Sequence, residues 1–104
     1  MRVADNSESS RPTVVVVTWN GGELLHSCVR ALRAQTLRPA AVIVVVARPD
    51  PIPLPPDLEI LRSSQALGYA ASVNMGLDAA PAGPLIVLND DTVADPGFIE
   101  SLVA

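Results

Sequence analysis

Two continuous β-branched runs constrain this chain most. Thr13-Val14-Val15-Val16-Val17-Thr18 and Ala41-Val42-Ile43-Val44-Val45-Val46-Ala47 do not alternate between apolar and polar positions. A strand with one wet face alternates. A run that does not is covered on both faces, which is the mark of a central parallel strand. Between the two runs, apolar residues fall at Leu24, Leu25, Cys28, Ala31 and Leu32, with Ser27, Arg30 and Arg33 interposed. That spacing predicts a helix from Glu23 to about Gln35. Gly21-Gly22 can supply the tight turn into it, and Pro39 ends the connection. Strand, helix and strand fit within the span from Thr13 to Ala47, the size of a right-handed βαβ crossover.

The segment Arg48-Pro49-Asp50-Pro51-Ile52-Pro53-Leu54-Pro55-Pro56 holds five prolines in nine residues. It excludes helix and interior strand and predicts a stiff extended loop. Leu58-Glu59-Ile60-Leu61 reads as a short third strand, and Ser63-Ser64-Gln65 as loop. Gly68 to Ala80 reads as a helix of small residues, with Ala70, Ala71, Val73, Leu77 and Ala80 able to face the sheet, closed by Pro81 and Gly83. Leu85-Ile86-Val87-Leu88, bounded by Gly83-Pro84, reads as a fourth strand covered on both faces. Asp95 as N-cap and Pro96 at the first helical position predict a third helix over the C-terminal segment. The expected fold is α/β and Rossmann-like: a mainly parallel four-stranded sheet flanked by about three helices. Residues 1–11, Ser-rich and charged, are expected to form a disordered leader, and 12–104 one domain. Only three residues are aromatic, so the core must be built from Val, Leu, Ile and Ala.

Several function classes drop out. A formal net charge of −4 leaves no basic footprint for nucleic acid. Cys28, the sole cysteine, can form no internal disulfide and no Cys/His metal spacing; its place in the helical pattern predicts core packing. His26, the sole histidine, is expected on a helix surface and supports no Ser/His/Asp arrangement. No signal peptide stands at the start, and no apolar run is long enough to span a bilayer, so a cytoplasmic location is expected, at the membrane face for a longer protein. No G-x-G-x-x-G follows the first strand, and no G-x-x-x-x-G-K-[ST] exists.

A parallel sheet gathers its strand C-termini at one edge, where ligands of open α/β sheets bind. The first strand delivers Thr18, Trp19 and Asn20 to that edge, the second Ala47 and Arg48, the third Arg62, Ser63 and Ser64, and the fourth Asn89, Asp90 and Asp91. Adjacent carboxylates repel each other, and a divalent cation with oxygen ligands is the obvious counter-charge. A polar turn chosen for its geometry is the bland alternative for Asn89-Asp90-Asp91. Trp19 offers a flat face for a base, or a cap on the core. The first helix points backbone N–H groups at the same edge, which favours an anion. Together these features suggest a nucleoside diphosphate bridged by a metal.

At this point the chain resembles a family. Val14-Val15-Val16-Val17-Thr18-Trp19-Asn20 with Leu24-Leu25, then Leu32-x-x-Gln35-Thr36, is similar to the opening of family 2 glycosyltransferases of the GT-A fold. Leu67-Gly68-Tyr69-Ala70-Ala71-x-x-Asn74-x-Gly76-Leu77 resembles their next motif. Leu88-Asn89-Asp90-Asp91-Thr92 looks like the D-x-D element in the N-x-D form of rhamnosyltransferase-like members. The resemblance implies an inverting transferase that moves a sugar from a nucleotide-diphosphate donor to a saccharide or lipid-linked acceptor, as in cell-wall or polysaccharide synthesis. It implies that Thr18, Trp19, Asn20, Gly68, Asn74 and Asp90 bind the nucleotide, and that Asp91 with Asn89 holds Mg²⁺ or Mn²⁺ on the diphosphate.

Three positions depart from the family pattern. Val46-Ala47-Arg48-Pro49 stands where a nucleotide-binding Asp is usual, with Asp50 as a substitute from a shifted loop; Ala66 and Val73 replace polar residues. These departures imply weakened or altered donor binding. The family's catalytic base and acceptor-binding half lie beyond the D-x-D element, so the chain reads as a donor-binding portion, inactive alone and inclined to form a homodimer through an exposed edge. The alternative reading is a non-catalytic α/β scaffold or oligomerisation module derived from that fold. A receiver-like domain would need an acidic pair after the first strand and a late Lys, and the sequence has no Lys.

Overall fold

A computed structural model describes residues 11–103. Apart from Arg11, the leader expected over residues 1–11 lies outside the described residues. The elements run β1 (Thr13–Thr18), α1 (Gly22–Arg33), β2 (Ala41–Val46), β3 (Glu59–Arg62), α2 (Tyr69–Ala79), β4 (Leu85–Asn89) and α3 (Phe98–Val103). The strands form one sheet in the order β3-β2-β1-β4, with every pairing parallel. No helix among the described residues is long and apolar enough to cross a membrane.

The two β-branched runs become the two inner strands, and their residues are almost all buried. Odd and even positions of a strand point to opposite sides, so β1 feeds two cores. Val14 and Val16 join Val44 and Val46 of β2 under Leu25, Cys28, Val29 and Leu32 of α1, with Ile99 of α3 in the same cluster. Val15 meets Ile43 and Val45 on the opposite face, where Met75 and Ala80 pack. Cys28 is fully buried in the first cluster. The proline-rich stretch also reaches this cluster through Ile52 and Leu54. Its Pro53 carbonyl accepts a hydrogen bond from the Gly22 N–H at 3.2 Å. Gly21 has φ +62°, and a Cβ there would lie 2.2 Å from the same carbonyl oxygen. Only glycine fits that turn.

Three expectations are corrected. β4 is an edge strand and only partly covered: Ile86 and Leu88 pack against the first cluster and Val87 against the second, while Leu85 and Asn89 are exposed. The sheet-facing side of α2 is Ser72 and Gly76, with Met75 packed beside them, whereas Ala70, Ala71 and Leu77 are exposed. The helix can approach because Gly76 has no side chain; a Cβ there would sit 2.4 Å from Val15 Cγ1. The last helix starts at Phe98, after a turn in which the Phe98 N–H donates to the Asp95 carbonyl at 3.0 Å.

Candidate functional site

The parallel register decides what meets at the C-terminal edge of the sheet. β1 and β4 are adjacent, with Val17 opposite Asn89. The next residues, Thr18 and Asp90, are therefore neighbours across the sheet. Thr18 Oγ1 donates to Asp90 Oδ2 at 2.6 Å and accepts from the Gly21 N–H at 2.9 Å. The buried hydroxyl thus ties the acidic turn to the start of α1. The turn is closed by the Thr92 N–H donating to the Asn89 carbonyl at 3.1 Å.

These residues border a cleft of about 350 Å³, lined by Val17, Trp19, Asn20, Gly21, Leu24, Tyr69, Asn89, Asp90 and Asp91. Trp19 and Asp91, 72 positions apart in sequence, thus share one crevice. A second, more apolar cleft of about 170 Å³ is lined by Val17, Trp19, Ala47, Leu67, Tyr69 and Ser72. Val17, Trp19 and Tyr69 line both clefts, so the two adjoin at these residues. Trp19 and Tyr69 are 45% and 56% exposed, large values for rings with so much apolar surface.

The rim is polarised. The guanidinium of Arg48 lies over the Trp19 ring, 5.1 Å from its centroid. It donates to Asn20 Oδ1 at 3.3 Å and pairs with Asp50 Oδ2 at 2.9 Å. Oδ2 of Asp50 is thereby engaged by Arg48. The cation stands at the β1–β2 side and the carboxylates of Asp90 and Asp91 at the β4 side.

Of the residues marked in the sequence, Trp19, Asn20, Asn89, Asp90 and Asp91 line the first cleft. Thr18 is buried behind it and holds Asp90. Gly68 precedes the first residue of α2, and Asn74 is exposed along that helix; neither lines a described cleft. Sequence reasoning missed Tyr69, Leu24 and Leu67 as wall residues. The signal for Tyr69 was its place as the only tyrosine, beside Gly68 at the expected start of a helix on the ligand-binding edge.

Cys28 lies behind the acidic turn, its Sγ 3.9 Å from the Asn89 carbonyl oxygen. Burial first, and then the charges of Asp90 and Asp91, push the thiol from its ordinary 9.0 up to about 11. It stays protonated at neutral pH and is no nucleophile. Among the described residues, no three His, Cys, Asp or Glu side chains gather into a metal cage. Away from the cleft, Gln35 clamps the segment that follows the acidic turn. Its Nε2 donates to the carbonyls of Ala31 and Asp95 at 3.2 and 2.6 Å, and its Oε1 accepts from the Ile99 N–H at 3.0 Å.

A family model described as glycosyl transferase family 2 matches residues 13–104. No curated protein matches the chain.

Proposed function

The chain belongs to glycosyl transferase family 2, and from that premise we propose that residues 12–104 bind the nucleotide-diphosphate end of an activated sugar donor. The observation that carries this reading is the single cleft bordered by an exposed aromatic face at Trp19 and by carboxylates at Asp90 and Asp91. A base fits against Trp19 and Tyr69, and the diphosphate then extends toward the acidic turn.

A diphosphate beside two carboxylates needs cations between them. The donor set on the cleft wall is hard oxygen: the Asp91 carboxylate and the Asn89 side-chain amide, with Asp90 Oδ2 already engaged by Thr18. This fits Mg²⁺ or Mn²⁺, which takes one or two carboxylates and completes its shell with phosphate oxygens and water. It does not fit an all-protein cage. Such an ion supplies Lewis-acid stabilisation of the departing diphosphate. Asp91 and Asn89 would hold it, while Thr18 keeps Asp90 oriented toward the ribose end.

In the proposed reaction an acceptor hydroxyl attacks the anomeric carbon, the bond to the diphosphate breaks, and the configuration inverts. A carboxylate base takes the hydroxyl proton, and none of these residues is assigned that role. The acceptor is a glycan or lipid-linked saccharide.

Calorimetry with a set of nucleoside diphosphates, with and without Mn²⁺, tests this reading. Binding is expected to require the metal and to fall at least about tenfold in Asp91→Ala, one lost metal ligand being worth a kcal/mol or more. Equal affinity with and without Mn²⁺ would remove the basis for the reading. The open edge of β4 favours a second reading, a scaffold that associates through its sheet. That reading predicts a stable oligomer and no nucleotide binding.

A further inference from the structure

An apolar slot can hold a nucleobase without telling one base from another. The second cleft is of that kind. Ser72, one of its wall residues, is fully buried, and its hydroxyl donates back to the Gly68 carbonyl at 2.9 Å. No carboxylate lines the slot, so a base N–H meets no charged acceptor there. Arg48 follows wall residue Ala47 and lies over the ring of wall residue Trp19, 5.1 Å from its centroid.

The hydrogen bonds of Arg48 define which edge of its fork is available. Nε and Nη2, the side-on edge, both donate to Asp50 Oδ2, at 3.1 and 2.9 Å. Nη1 reaches only Asn20 Oδ1, at a long 3.3 Å. Asp50 thus fixes the plane of the guanidinium and leaves the end-on pair, Nη1 and Nη2, for a ligand. A guanidinium donates and never accepts. Its planar pair of N–H groups asks for two adjacent acceptors.

We propose that Arg48 sets the base preference of this site, favouring a nucleobase with two adjacent acceptors. Guanine offers O6 and N7, and cytosine offers O2 and N3. Uracil and thymine place an N–H between their carbonyls, and adenine places an amino group beside N7. Asp50 acts as a positioning residue, because its Oδ2 receives both N–H groups of the side-on edge of Arg48. This inference rests on the donor reading above.

The test titrates the full chain with GDP, CDP, UDP, TDP and ADP at saturating Mn²⁺. Trp19 fluorescence is the readout, since the chain has one tryptophan. GDP or CDP is expected to bind about tenfold tighter than the other three, the low end of what a bidentate arginine–base pair discriminates. Comparison of the GDP and CDP arms identifies which base is read. Arg48→Lys keeps the charge and loses the fork; it is expected to retain metal-dependent binding and level the preference to within about twofold. Asp50→Asn leaves Arg48 in place with its fork less firmly held, and is expected to shrink the preference. UDP or TDP binding as tightly as GDP and CDP, or a preference that survives in Arg48→Lys, overturns the proposal while leaving the donor reading intact. If no nucleoside diphosphate binds, the donor reading fails and this proposal with it.

Discussion

Thr18 serves the fold and the site with one hydroxyl. It ends β1, satisfies the Gly21 N–H at the entry to α1, and donates to Asp90. Cys28 has the opposite character, a group silenced by its surroundings. Its thiol is raised to about 11 by burial and by Asp90 and Asp91. A group whose folded pKa lies above its unfolded value favours the protonated native state. The stability it contributes is therefore whole below pH 9.0 and is lost as pH rises toward about 11. Urea denaturation at a series of pH values is expected to show this loss in the native chain and a smaller one in Cys28→Ala. Reaction of the native thiol with dithiobis(nitrobenzoate) at pH 8 is expected to be slow, rising with denaturant. Trp19, Asn20, Asp90 and Asp91 were legible as residues of the ligand-binding edge because each stands just past the end of an apolar run, and all four line the first cleft. The stacking of Arg48 on Trp19 was not, because it depends on two side chains from different strands.

At the level of elements, α1 was readable and α2 was not. The apolar positions of α1 recur at helical spacing between polar ones, so the stripe that faces the sheet announces itself. α2 is small and apolar on most sides, and hydrophobicity cannot choose its buried face. Closeness of approach chooses it instead: Gly76 admits the helix to β1 and β2, and Ser72 turns its hydroxyl onto its own helix. Gly76→Ala is expected to destabilise the protein by about 1–3 kcal/mol, because overpacking against the β-branched Val15 outweighs the better helix propensity of alanine. Chemical denaturation measures this directly; a variant as stable as the parent would mean that α2 can shift outward. The late start of α3 has a similar origin. Asp95 and Pro96 carry the residue types of a helix start, yet their carbonyls are taken by Gln35 and by the Thr36 N–H, which holds them in a turn.

Across the whole molecule, the two outer strands are protected unequally. β3 is four residues long and carries the exposed charges Glu59 and Arg62, devices that discourage pairing with another chain. β4 carries no charge and no proline over Leu85–Asn89, and Leu85 is 39% exposed. Self-association through β4 is expected to rise with concentration, and Leu85→Lys to reduce it; sedimentation of both proteins over a concentration series is the check. A parent chain that stays monomeric at high concentration would count against this edge as an interface.

The amino-acid order alone determined the parallel α/β architecture. Uninterrupted β-branched runs can be satisfied only as covered strands, and the helical spacing between them supplies the cover. It also determined that Asn89, Asp90 and Asp91 would stand at a strand end. Only the folded chain decided that β4 lies at the edge, since an apolar run states that a strand wants cover and not whether a neighbour provides it. The fold likewise decided that Trp19 and Asp91 border one crevice, because that depends on β4 pairing with β1, a long-range choice that local sequence does not encode.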